Sequence, residues 1–65
     1  MKLKHKEFYD FYGTLTKKEQ ELMQYIMYGY NLVECSLKLH KSYKTIKNYW
    51  HEIKLKYKNY MRGEN

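Results

Sequence analysis

In the last third of the chain, two stripes run side by side along one expected helix. Ile46, Trp50, Ile53, Tyr57 and Tyr60 recur at steps of four, three, four and three, so they share one continuous helical face. Lys44, Lys47, His51, Lys54 and Lys58 recur at steps of three, four, three and four on a neighbouring face. A helix of this kind must bury its aromatic and isoleucine side. Doing so turns the lysines outward. The rest of the chain has to supply the surface that covers the apolar side.

At 65 residues the chain makes a single domain, 1–65, with a small core. It has no proline and three glycines, Gly13, Gly29 and Gly63, which favours helices over a sheet. Three helix starts are written in caps. Thr16 with Glu19 fits a capping box, and Asn31 with Glu34 has a similar spacing. Ser42 is a good N-cap for the lysine-bearing helix. Gly13 and Gly29 stand where a preceding helix would end. The caps and periodicity predict helices at about 3–12, 16–28, 32–39 and 43–60. In the second, Leu22 and Ile26 with Met23 and Met27 form an apolar side. In the third, Val33 and Leu37 share a face, beside Cys35 and Leu39. The short gaps predict an all-α, small helix-turn-helix bundle of about four helices. Residues 1–13 supply an N-terminal helix that packs on the core, and 15–60 form the helix-turn-helix module.

Charge is unevenly distributed. Residues 1–37 hold five lysines and five acids, whereas 38–58 hold seven lysines against Glu52 alone. The net charge of +6 therefore resides in one third of the chain, a field that favours a polyanion. With one cysteine, Cys35, no internal disulfide can form, which suits a reducing, cytoplasmic setting. No long apolar run suggests a signal peptide or a membrane span, so no membrane partner is expected. His5, His40 and His51 make no metal pattern, and no nucleophile–base pair or Gly-rich phosphate loop is readable. The expectation is a non-enzyme without cofactors. The preference for lysine over arginine, the nine tyrosines and the lack of alanine suggest an AT-rich genome, such as a Firmicute or one of its phages.

The run LTKKEQELMQYIMYGYNLVECSLKLHKSYKTIKNYWHEIKLKY, residues 15–57, resembles the LuxR/GerE-type helix-turn-helix domain. The resemblance rests on Leu15-Thr16, on Glu19 and Glu21 leading to Gly29, on Glu34, on Leu39-His40, and on Ser42 followed by Lys44-Thr45-Ile46-Lys47-Asn48. The KTIKN segment is its most specific part. The remaining pattern is shared with region 4 of bacterial sigma factors, the second-choice resemblance.

The resemblance implies a small DNA-binding transcriptional regulator whose last helix enters the major groove of double-stranded DNA. Its base-contacting positions fall on Lys47, Asn48 and His51, with Lys44 nearby. Lysine can donate to guanine O6 and N7, and asparagine can pair with adenine. Asn48 also suits a hydrogen bond within the turn, and His51 a plain surface position. Phosphate contacts are expected from Thr16, Asn31, Ser42, Tyr43 and Thr45 at helix starts, and from Lys54 and Lys58 along the stripe. Cys35 is expected to be a small buried thiol, and Trp50 and Tyr57 core residues.

Departures from the family pattern are visible too. Tyr49 replaces a usual histidine, and Lys41 stands where an apolar residue is common. Leu32, Val33 and Leu37 are apolar where the family is polar, so a covering by the aromatic N-terminal segment or by a protein partner is expected. Only about eight residues, 58–65, follow the matched run, so the family's fourth helix, often used to dimerise, is expected to be missing or merged into a longer recognition helix. Any homodimer would have to form in another way, with the N-terminal helix taking that helix's place in the core. The alternative function is a protein-binding adaptor, for example phage-encoded, acting on RNA polymerase or a host regulator through a surface derived from the helix-turn-helix.

Overall fold

The computed structural model describes residues 5–62. It contains four α-helices and no strand among those residues: α1 His5–Tyr12, α2 Lys17–Met27, α3 Leu32–Lys38 and α4 Tyr43–Met61. The expected all-α bundle is therefore the architecture adopted. Helix ends fall within one residue of expectation at every boundary, apart from the start of α1; residues 3 and 4 lie outside the described part.

Local chemistry explains the boundaries. The Thr16 hydroxyl accepts from the Glu19 amide at 3.2 Å, and the Glu19 carboxylate accepts from the Thr16 amide at 2.9 Å. Asn31 and Glu34 repeat the exchange at 2.8 and 2.9 Å. Each reciprocal pair satisfies amides that a helix start otherwise leaves open.

The two interior turns close in the same way. Gly29 adopts φ +98°; its amide donates to the Ile26 carbonyl at 3.0 Å, and the Tyr30 amide donates to Tyr25 at 3.1 Å. This is a Schellman closure, and the rings of Tyr25 and Tyr30 supply its apolar contact at 5.8 Å. After α3 the pattern recurs. The Lys41 amide donates to Ser36 at 3.0 Å and His40 to Leu37 at 3.4 Å, with His40 at φ +55°. A histidine thus occupies the left-handed slot that glycine normally takes.

Phe11, Leu15, Leu22, Met23, Cys35, Ile46 and Ile53 form the core, drawing on all four helices and the α1–α2 turn. Ile46 and Ile53 of α4 are fully buried, while Trp50, Tyr57 and Tyr60 pack half-buried against them. Phe11 brings α1 onto the far half of α4. Its ring meets Tyr57 edge-on at 5.6 Å and Tyr60 at 5.7 Å. Tyr12 clasps α1 to α2: Gln20 Nε2 donates to its carbonyl at 2.9 Å, and Gln24 Nε2 to its hydroxyl at 2.8 Å. Met27 departs from the apolar side expected for α2: at the last residue of that helix it stands exposed, bordering a hollow shared with Phe8, Tyr9 and Tyr12 of α1.

One ion pair ties α2 to α4. Lys56 Nζ lies 2.6 Å from Glu19 Oε1, the same oxygen that accepts the Thr16 amide. Burial pushes the Glu19 carboxyl up, but the hydrogen bond from Lys56, the Thr16 amide and the lysine charge together outweigh it and hold it below its ordinary value.

The space around Gly29 is open, so Gly29→Ala costs backbone strain alone, about 1–2 kcal/mol. His40→Gly relieves strain and raises stability by up to about 1 kcal/mol. Thermal denaturation reads both, and a destabilised His40→Gly would show that the histidine earns its position by contacts. A carboxyl depressed in the folded state stabilises above its unfolded pKa, about 4.3 for glutamate, and loses that contribution as pH falls through the folded value. Lys56→Met should therefore lower the melting temperature at neutral pH, with the deficit shrinking in acid. An equal deficit at both pH values would mean the lysine stem, not its charge, matters.

Candidate nucleic-acid interface

Ser42 starts α4 by accepting the Thr45 amide on its hydroxyl at 3.1 Å. The same hydroxyl lies 2.9 Å from Thr45 Oγ1 and donates to it. Thr45's own hydroxyl proton is then available to an outside acceptor, beside the open amides of the first turn. Tyr43 is largely exposed, and Lys47 Nζ lies 5.6 Å from the centre of its ring. That contact holds the lysine over an aromatic face without neutralising it.

With Ile46 and Ile53 buried, the rotation of α4 about its axis is set. Lys44, Lys47, Asn48, His51, Lys54 and Lys58 are all exposed, within roughly a third of the helix circumference. Among the described residues none of the four lysines pairs with a carboxylate. The structure thus brings together the residues read as base-contacting, along with Ser42, Tyr43, Thr45, Lys54 and Lys58. Thr16 and Asn31 stand apart from α4 in sequence, at the starts of α2 and α3. Their side-chain acceptors are already engaged as caps. A carboxylate, Glu19 or Glu34, shares each of those helix starts, so an approaching phosphate would meet negative charge as well as donors.

Sequence reasoning missed three features. Lys56 belongs to the basic third of the chain by count, yet it is spent on Glu19. Its position held the clue: it follows Lys47 by about two and a half turns, which points it to the opposite side. Lys38 lies 5.1 Å over the Tyr30 ring, away from any stripe. Leu55 is 44 % exposed and lies one turn beyond His51 on the line Lys44–Asn48–His51, so an apolar group interrupts the basic face.

Elsewhere, Cys35 is buried, and burial, then the charge of Glu34, pushes its thiol up. Val33 and Leu37 remain 54 % and 71 % exposed on α3, while Leu32 packs on the core. The ring contacts of α1 go to α4 and its hydrogen bonds to α2, so it does not provide the cover expected for the two exposed residues. No group of His, Cys, Asp and Glu among the described residues could hold a metal ion; the side chain of His5 lies outside them. No helix among them is long and apolar enough to cross a membrane. Comparison with protein-family models, curated proteins and solved structures finds no match for this chain.

The start of α4 can be tested by itself. Ser42→Ala removes the only side-chain cap of that helix, and should cost about 1 kcal/mol in thermal or urea denaturation. No change would mean that packing of Ile46 alone holds the first turn.

Proposed function

We propose that the chain is a small DNA-binding transcriptional regulator that lays α4 in the major groove of duplex DNA. The observation that carries this reading is the exposed row Lys44, Lys47, Asn48 and His51. It stands on a helix whose opposite side buries Ile46 and Ile53 in the core, directly after a helix and a tight turn. That order of elements is the one that presents a recognition helix.

Under this reading Lys44 and Lys47 donate to guanine, Asn48 pairs with adenine, and His51 donates to a base acceptor. Thr45, Tyr43, Lys54 and Lys58 take phosphates, with the capped first turn contributing amides. Thr16 and Asn31 are weaker phosphate candidates because of the carboxylates beside them. Leu55 adds an apolar surface of the kind that meets a thymine methyl. The LuxR/GerE-type resemblance supports the same assignment of α4.

A second reading, a protein-binding adaptor for RNA polymerase or another regulator, is favoured by one observation: Val33 and Leu37 expose apolar surface on α3 that no other described element covers. Retention of a partner from lysate after nuclease treatment, by a protein with no DNA affinity of its own, would select it.

The DNA reading is tested by selecting duplexes from a random library and measuring anisotropy on the winners. Lys47→Ala or Asn48→Ala should cost about 1–3 kcal/mol and flatten the base preference. Lys58→Ala should weaken all sequences about equally and reduce the salt slope by about one. Binding untouched by Lys47→Ala and Asn48→Ala would reject α4 as the reading element.

A further inference from the structure

On the far half of α4 a shallow groove runs beside the basic row. It is lined by Trp50, Tyr57 and Met61 in one row and, along one side of that row, by Lys54, Arg62 and Lys58. Among the described residues no carboxylate lines it. Asp10 and Glu7 of α1 act on Tyr60, which lies outside it. Met61 is 53 % exposed, so an adaptable thioether forms one end of the row. From Trp50 to Met61 the groove follows α4 for about 16 Å, or three turns.

This combination does not match a DNA backbone, which offers charge but nothing to cover an apolar row. Nor is it a good stacking platform. The Tyr57 ring is met edge-on by Phe11, and Trp50 is half-buried against the core. Bases stack on freely exposed ring faces. What fits an apolar row with cations along one side is an amphipathic segment with acids on one flank of its apolar side chains.

We propose that this groove docks an acidic amphipathic helix of a partner protein. Leucine or phenylalanine side chains of the partner fill the space over Trp50, Tyr57 and Met61, and its carboxylates engage Lys54 and Lys58. The docking stands on the groove alone. Its regulatory consequence rests on the DNA reading: Lys54 and Lys58 cannot hold phosphates and partner carboxylates together, so such a partner displaces DNA.

Trp50 is the single tryptophan of the chain and lines the groove, so its emission reports occupancy. The intact protein is titrated with a synthetic peptide of about four turns bearing Leu and Phe at helical spacing among Glu and Asp. A control replaces every Leu and Phe with Ser at equal charge, and a third arm uses oligothymidine. The apolar peptide should saturate and shift Trp50 emission, with the Ser control about tenfold weaker and Met61→Asp lowering affinity about fivefold. Equal affinity of the two peptides would reduce the effect to charge and overturn the proposal. So would indifference to Met61→Asp, or tighter binding by oligothymidine, which would mark a base-stacking surface. Added to a preformed duplex complex, the peptide should release the DNA. Peptide binding that leaves the duplex in place would uphold the docking and overturn the shared use of Lys54 and Lys58. Absence of any duplex complex would reject the DNA reading while leaving the docking result intact.

Discussion

The full burial of Ile46 and Ile53 governs the rest of this structure. These two side chains are seven residues apart, about two turns, so together they set the rotation of α4. Once that is set, every other position on the helix has a defined direction. Lysines at steps of three and four look outward because isoleucines at their own steps look inward. Apolar burial, worth roughly 1.5–3 kcal/mol per side chain, far exceeds the few tenths available from surface charge pairs. Hydrophobic packing therefore orients the cations.

The core that receives α4 is assembled from short pieces, each held at its ends by local hydrogen bonds. Two capping boxes start α2 and α3, and two Schellman closures end them. Helices of seven and eleven residues have little stability of their own. Saturating their terminal amides and carbonyls lets such short elements persist long enough to pack. The second closure sits between α3 and α4 and carries strain at His40. A glycine there would be easier on the backbone. The histidine adopts the turn at some conformational cost.

The cations divide into distinct environments. Lys56 is internal to the fold, joining α4 to the capping carboxylate of α2. Lys38 and Lys47 rest over tyrosine rings and keep their charge. Lys44, Lys54 and Lys58 stand in solvent. The field presented by α4 is therefore narrower than a count of lysines suggests, and it borders an apolar groove rather than merging into an evenly polar surface. That adjacency supplies two chemically different faces on one helix.

Much of this was legible in the residues alone. Caps at Thr16, Asn31 and Ser42 and the two stripes of α4 act within one or two turns, so periodicity and spacing carry them directly. The inward role of Phe11 was only half legible: an aromatic edge on α1 was visible, but its seat between Tyr57 and Tyr60 depends on residues more than forty positions away. The Glu19–Lys56 pair was hidden for the same reason, since a contact between residues 19 and 56 exists only after α2 and α4 have packed. His40 in the left-handed slot and the outward Leu55 are local features, whereas the exposure of the groove at Trp50 and Met61 depends on how whole helices meet. By itself the sequence determined where α2, α3 and α4 begin, which side of α4 is apolar and which is basic. Only the tertiary structure decided which lysines stay available, because neutralising a charge requires bringing a distant partner within a few ångströms.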